Sequence, residues 1–501
     1  MRRAGHLWVI ALALAGCASV PLDLPKPSSV ALTDNSSTHF GQLAEGWAQL
    51  NHGQSGFYPF VRGLDALGAR LEMAGQAEET LDLQYFLMKD DAAGYVVATA
   101  LWRAAERGVR VRFLLDDVFT TAPDSGLLYL DAHPNIEVRL FNPISRRGLH
   151  SLNFISHFRR ANRRMHNKSF IVDNAIAVVG GRNIADEYFQ LKNDAVFADF
   201  DVLAFGPVVR DVSASFDKYW NHSLAVPMEQ LASKRAKEKA KTPPTNPEYN
   251  TESVYARAVG TDLLRQLGAG EVTLYPAPAR VLADDPGKLQ NAVGREYMQL
   301  AAELGALLQD AEREVLFITP YYVPRDYGVD FVRDSVEKGV RVVVVTNSLA
   351  SNNHIPVHSA YSGYRKDVLR AGAELYEVRA NAGRASQGDG APEHLTLHTK
   401  MIVIDRRYLF VGSLNLDPRS IEINAEMGLV IDSPELAGLI AEGLGQALKR
   451  TTYQVVRNAK GRLEWRSAAD GVNPVETSEP LSSPWRRFKA WLLKIVPDSQ
   501  L

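Results

Sequence analysis

A histidine and a lysine two residues apart, an aspartate five further on and an asparagine beyond a glycine turn occur twice in the chain. The first set is His166, Lys168, Asp173, Gly180-Gly181 and Asn183; the second is His398, Lys400, Asp405, Gly412 and Asn415. Two imidazoles, two ammonium groups and two amides suit a phosphodiester. The lysines and the phosphate-binding candidates Asn183 and Asn415 hold the non-bridging oxygens and neutralise charge. One histidine attacks phosphorus and the other protonates the leaving oxygen. In-line displacement needs nucleophile and acid on opposite sides of phosphorus, which one motif cannot supply and two can. An isolated His-x-Lys pair is more simply a solvated strand surface, and the wider pattern arises by chance in roughly one chain in thirty of this length. Two copies with matching downstream spacing reject that explanation. A lysine beside each histidine repels a cation and offers no ligand, so no metal and no cofactor is expected.

The elements that must position these groups follow from hydrophobic alternation. "SFIV-DN-AIAVVGG" and "MIVI-DRR-YLFVGS" each predict strand, turn, strand, and residues two apart on a strand share a face, so each His and Lys point together. All six motif residues are candidate catalytic residues, with Asp173 and Asp405 in the turns read as bracing. Aligned on Pro207 and Pro434, Asp199 falls opposite Glu426, and these acids are the candidates for fixing the histidine tautomers. His133, His157 and His354 lack such company and are expected on surface or loops.

The repeat extends further. Glu79 to Asp117 and Arg313 to Ser348 each predict a strand, a helix ending at glycine and a second strand. The predicted architecture is α/β: two similar halves with mixed sheets flanked by helices, related by a pseudo-twofold axis with the site between them. The expected boundaries are 1–16 signal peptide, 17–55 tether, 56–231 first half, 232–255 linker, 256–455 second half and 456–501 tail.

The chain of 501 residues is 46% hydrophobic with a formal net charge of −2, which counts against a nucleic-acid partner needing clustered basic residues. Arg2 and Arg3 precede a short apolar run, too short to span a bilayer, that ends at Leu14-Ala15-Gly16-Cys17. Cys17 is the only cysteine, excluding an internal disulfide, and its setting resembles a bacterial lipobox, with Cys17 as the lipidation site. The expected place is the cell envelope, lipid-anchored and facing the periplasm, and the residue after Cys17 favours the outer membrane by that resemblance. "VPLDLPKPSS" reads as a tether. At the other end, "PWRRFKAWLLKI" places Trp485, Phe488, Trp491, Leu492 and Ile495 at helical spacing among basic residues. Two interpretations stand: a docked terminal helix, or a helix on an anionic membrane surface.

The doubled His-Lys-Asp signature resembles the phospholipase D superfamily. "GGRNIADEYF", "HSAYSGYRKDVLRAGAELYEVR" and "GSLNLDPRSIEINAEMGLVI" look like bacterial cardiolipin synthases of the short type without amino-terminal transmembrane helices. The resemblance implies a two-step phosphoryl transfer through a phosphohistidine, with His166 as nucleophile and His398 as acid and then base. It also implies phospholipid substrates met at a membrane surface: phosphatidylglycerol as acceptor, and as donor a phospholipid that releases glycerol or ethanolamine, phosphatidylglycerol or phosphatidylethanolamine. A hydrolytic phospholipase D shares the intermediate; a nucleic-acid phosphodiesterase and a non-catalytic envelope lipoprotein are more distant alternatives. No partner protein is indicated.

Overall fold

Short apolar runs rich in Val, Ile and Leu pair into two large sheets, as their length and branching favour. The computed structural model describes residues 22, 24–144, 158–192, 195–243, 249–291, 297–383, 394–469 and 471–495. Its strands are β1 Ser55–Phe60, β2 Thr80–Tyr85, β3 Arg110–Asp116, β4 Ile136–Phe141, β5 Ser169–Val172, β6 Ile176–Gly180, β7 Ala195–Ala198, β8 Asp201–Phe205, β9 Ala225–Pro227 and β10 Tyr275–Ala277. They continue with β11 Ala279–Ala283, β12 Glu314–Ile318, β13 Arg341–Asn347, β14 Glu374–Val378, β15 His394–Leu397, β16 Met401–Ile404, β17 Tyr408–Gly412, β18 Met427–Asp432, β19 Thr452–Arg457, β20 Leu463–Arg466 and β21 Val475–Glu476. The helices used below are α1 Gly63–Gln76, α2 Ala92–Glu106, α3 Val208–Asn221, α4 Arg325–Glu337, α5 Ile355–Arg370, α6 Pro434–Thr451 and α7 Pro484–Leu492.

The first sheet runs β10-β1-β8-β6-β5-β2-β3-β4-β9 and the second β11-β18-β17-β16-β12-β13-β14-β19-β20-β21. Apart from the edge strands β10, β20 and β21, the two orders correspond strand for strand. In each, three central strands are parallel, β2-β3-β4 and β12-β13-β14, and the rest antiparallel. Parallel neighbours require crossovers, supplied by α2 and the helix Asp124–Asp131 in the first half and by α4 and α5 in the second. The duplicated α/β fold with two mixed sheets is therefore present.

One face of each sheet packs on its own helices: Leu81, Leu83 and Phe113 with α1 and α2, and Val315, Phe317 and Val344 with α4 and α5. The other faces meet. Ala177, Val179 and Val202 of the first sheet join Val403, Val411 and Leu429 of the second, with Val209 and Phe216 of α3 and Leu436 of α6, in one buried cluster. A small parallel pair, β7 with β15, also joins the halves.

Three segments lie differently from expectation. Residues 24–31, expected as a tether by their Pro and Ser content, lie on the first half because buried guanidiniums need acceptors. Arg139 donates to Pro27 O (2.6 Å), Arg112 to Ser29 O (2.9 Å), and Ala31 N donates to Asp217 (2.8 Å). The stretch from 251 to 277, expected largely in the second half, packs on the first. Its helix Thr251–Val259 lies so close on α1 that Gly68 abuts the Ala258 carbonyl, and β10 is hydrogen-bonded to β1. The tail beyond 456 continues the second sheet through β20 and β21 before reaching α7. Cys17 and the segment before it, together with His157, fall outside the described residues.

Candidate active site

The two motif hairpins are built alike. β5 and β6 are joined by Asp173-Asn174-Ala175, the first two with φ of 49° and 48°, and β16 and β17 by Asp405-Arg406-Arg407, the first two with 55° and 52°. In each the two positive-φ residues are the centre of a tight turn closed by a backbone hydrogen bond, Ala175 N to Val172 O and Arg407 N to Ile404 O (3.0 Å each), a conformation that Asp and Asn tolerate best. Each aspartate carboxylate then caps the start of the central strand. Asp173 accepts from the N–H groups of Glu78 (3.1 Å), Glu79 (2.9 Å) and Thr80 (2.8 Å). Asp405 accepts from Glu312 (2.9 Å), Arg313 (2.7 Å) and Glu314 (2.9 Å). The turns thus put both aspartates at the strand ends away from the histidines.

At the opposite ends the halves exchange partners. His166 N donates to Ala425 O (2.8 Å), and its Nδ1 lies 2.8 Å from Glu426 Oε2 and 3.1 Å from Ser413 O. His398 N donates to Ala198 O (2.7 Å), and its Nδ1 lies 2.6 Å from Asp199 Oδ2. Each imidazole of one half therefore meets a carboxylate of the other. With only acceptors at Nδ1 of His166, that nitrogen carries the proton and Nε2 keeps its lone pair. Among the described residues Nε2 of His166 takes no hydrogen bond, whereas Lys400 Nζ lies against the His398 ring, 3.0 Å from Nδ1 and 3.2 Å from Nε2.

Local sequence explains the fit of the acids. A Cβ at Gly181 would stand 2.1 Å from Asp199 Oδ1, so glycine is required for the carboxylate to reach His398. The second copy has Ser413 at that position, and its hydroxyl donates to Glu426. Arg182 holds the first loop by donating to Phe60 O (3.0 Å), Val61 O (2.7 Å) and Asp199 O (2.5 Å).

The site is a buried cluster of mutually opposed charges. Burial first, then Lys168 and Lys400, lowers His166 to about 4 against the pull of Glu426. Burial and Lys400 lower His398 to about 3 against Asp199. Burial lowers Lys168 to about 7 and Lys400 to about 8. Burial raises Asp199 and Glu426, but the facing histidines and lysines outweigh it and hold both below the ordinary carboxylate value. The neutral imidazoles and weakly held lysine protons are the state expected of an anion site awaiting its anion.

Asn183 and Asn415 are buried beside these groups, each with an Oδ1 that has no hydrogen-bond partner among the described residues. Asn183 Nδ2 donates to the Tyr188 hydroxyl (2.9 Å). Turning that amide over, with the hydroxyl as donor, keeps the bond and places an NH2 where the unpaired oxygen stands.

Several neighbours carried no signal in the motif pattern. Phe86 meets His166 edge-on (centroids 4.8 Å), and Lys168 Nζ lies 5.3 Å from the Phe86 ring centroid. Tyr188 meets His398 edge-on (5.0 Å), and Phe197 stacks flat on it (5.1 Å, 12°). Asp417 is buried near Lys400 and raised by that burial to about 6. Ser413 alone was findable, as the serine standing where the first copy has a second glycine. His133 is packed against Trp102, and His354 precedes α5; neither meets a motif residue. Among the described residues no three His, Cys, Asp or Glu side chains converge as metal ligands would.

A fold of two matched sheets with a doubled His-Lys site between them defines a phospholipase D superfamily enzyme. Residues 71–220 and 304–447 match the family described as "Cardiolipin synthase, PLD-like domain", and the chain belongs to it. It is 39% identical over 453 residues to cardiolipin synthase C of Escherichia coli, covering 89% of this chain and 96% of that protein. It is 24% identical to the cardiolipin synthase of Oceanobacillus iheyensis, over 78% of this chain and 68% of the relative. The crystal structure of phosphatidylserine synthase from Haemophilus influenzae shares the fold, with a TM-score of 0.54, 15% identity, and coverage of 82% of this chain and 91% of that one.

Proposed function

We propose that the chain transfers a phosphatidyl group from one phospholipid to the terminal hydroxyl of phosphatidylglycerol, forming cardiolipin. The observation that carries the chemistry is the exchange of carboxylates between halves, which presents two tautomer-fixed imidazoles to one buried, cationic site. The likeness to cardiolipin synthase C over nearly its whole length supports the substrate class.

In this scheme the donor phosphate sits between the histidines, its non-bridging oxygens held by Lys168, Lys400, Asn183 and Asn415. The anionic donor brings a proton onto His398, whose imidazolium Asp199 stabilises; Nε2 of His166 then attacks phosphorus, the bond to the donor headgroup oxygen breaks, and His398 gives that oxygen its proton, so glycerol or ethanolamine leaves as the alcohol. The phosphatidyl group is then bonded to His166. The terminal hydroxyl of phosphatidylglycerol gives its proton to His398 and attacks phosphorus, the P–N bond breaks, and both histidines return to their starting state. The unbonded Nε2 of His166 favours that residue as nucleophile. Glu426 and Asp199 hold the rings and stabilise imidazolium when it forms, while Asp173 and Asp405 hold the hairpins.

Incubating the full chain with chelator and vesicles of phosphatidylglycerol and phosphatidylethanolamine tests the proposal by mass spectrometry. Cardiolipin with free glycerol or ethanolamine is expected and names the donor. Phosphatidic acid alone would replace transfer by hydrolysis, and no lipid product would overturn both. We also propose that Cys17 is acylated and anchors the enzyme in the outer membrane facing the periplasm. Labelled fatty acid incorporated into the wild type and absent from Cys17→Ser is the expected result.

A further inference from the structure

The terminal helix α7 is both docked and exposed. Its inner side holds the loop after β13: Arg486 donates to Leu349 O (2.9 Å) and to Asn352 O, and Ala490 is buried against the body. Its outer side is bare. Trp485 is 63% exposed, Trp491 65% and Ile495 85%, with Phe488 and Leu492 between them. Such a stripe of large apolar side chains is rare on a surface whose apolar residues are elsewhere scattered singly. Trp485 stacks on Phe488 (centroids 5.6 Å) and Phe488 meets Trp491 at a tilt (5.9 Å), so the stripe is continuous.

Its position matters as much as its composition. The loop that α7 grips borders a cavity of about 490 Å³ lined by Lys192, Phe197, Asn352, His394 and Arg486 among others. Phe197 forms part of that lining and lies flat on His398. The corresponding loop of the first half, after β3, carries Phe119, which is 53% exposed and contacts Phe86, the ring set against His166. Each half therefore carries an exposed apolar group on, or beside, a loop that leads through one aromatic ring to a catalytic histidine.

We propose that α7, together with Phe119 of the first half, seats the active site on an anionic phospholipid surface. Aromatic side chains on one side and Lys489 and Lys494 beside them suit the boundary between acyl chains and headgroups. The segment 484–495 has no acidic residue to oppose that charge. Lipid drawn from such a surface reaches the histidines without crossing bulk water. The proposal deepens the phospholipid function above and rests on it for the activity test only, since immersion of the helix is read separately.

The full chain carrying Cys17→Ala and Trp491→Cys, spin-labelled at that one thiol, is mixed with phosphatidylglycerol–phosphatidylethanolamine vesicles. Accessibility to oxygen and to a water-soluble nickel chelate is then read by paramagnetic resonance. The label is expected to gain oxygen and lose nickel access. The same label at Leu50→Cys, an exposed position at the end of the helix His39–Leu50 on the first half, is expected to stay in water. A label at Trp491→Cys that stays in water on protein-bearing vesicles overturns the proposal. So does one shielded before vesicles are added, which would mean that protein covers the helix. Equal immersion on phosphatidylcholine alone overturns the anionic preference. In parallel, Trp485→Ser with Trp491→Ser is expected to lower turnover on vesicles about tenfold, keeping turnover on short-chain monomeric phosphatidylglycerol within about twofold. Equal loss on both substrates would overturn it, whereas absence of turnover in the wild type would strike the function and leave the immersion result standing.

Discussion

At the scale of single residues, burial sets what the site does before substrate arrives. Lys168 is lowered from 10.5 to about 7, so between those values the unfolded chain holds a proton that the folded one lacks, and stability rises with pH across that window. Lys400, at about 8, acts in the same direction over a narrower range. The histidines, lowered from 6.5 to about 4 and about 3, add a loss of stability as pH falls below 6.5. Melting temperature should therefore climb from pH 7 to 10 in the wild type and climb less in Lys168→Met; an equal climb would contradict the burial of that ammonium. A bound phosphate analogue supplies the missing counter-charge, so vanadate binding should take up protons, measurable by calorimetry in buffers of different ionisation enthalpy. His166→Ala and His398→Ala should each lower turnover about a thousandfold with the fold intact, and substantial turnover in either would remove the two-histidine chemistry. The repeat made both histidines and both acids legible in the sequence. Phe86, Tyr188 and Phe197 were not, because their types report only burial until the chain brings them against the rings.

At the scale of elements, hairpin geometry separates holding from reacting. Asp173 and Asp405 lie in turns with positive φ and spend their carboxylates on backbone N–H groups at the entry to β2 and β12. Asp173→Ala leaves several donors without an acceptor and should cost about 3 kcal/mol of stability. Turnover should persist at temperatures where the variant remains folded. Unchanged melting with lost turnover would move Asp173 into the reaction. Gly181 makes the opposite case. Alanine there puts a Cβ against the Asp199 carboxylate, displacing the acceptor of His398, and misplacement of that order should cost about a hundredfold in rate. Gly75→Ala, with open space at its Cβ, should leave the rate unchanged and serves as the control. Strand–turn–strand was readable from alternation at both hairpins. The docking of residues 24–31 was not, because Pro and Ser content is silent about the guanidiniums that claim their carbonyls.

At the scale of the molecule, duplication gives one site from two halves rather than two sites. Each imidazole is fixed by the other half's carboxylate, β7 pairs with β15 across the join, and the facing sheets share a single buried cluster. The repeat in the sequence foretold two similar halves, but equal spacing could not tell whether Asp199 serves His166 or His398; only the packing of one sheet on the other decides it. Nor could it show that β10, from beyond the linker, completes the edge of the first sheet. If the shared core holds the halves together, the peptide between them is dispensable once folding is complete. A protease site placed between residues 243 and 249 and then cut should leave a single species that keeps its turnover and melts in one transition. Either fragment isolated after denaturation should be inactive, since each lacks the carboxylate that orients its own histidine. Fragments that part spontaneously, or one that turns over alone, would show that the join is weaker or the site more local than the exchanged carboxylates require.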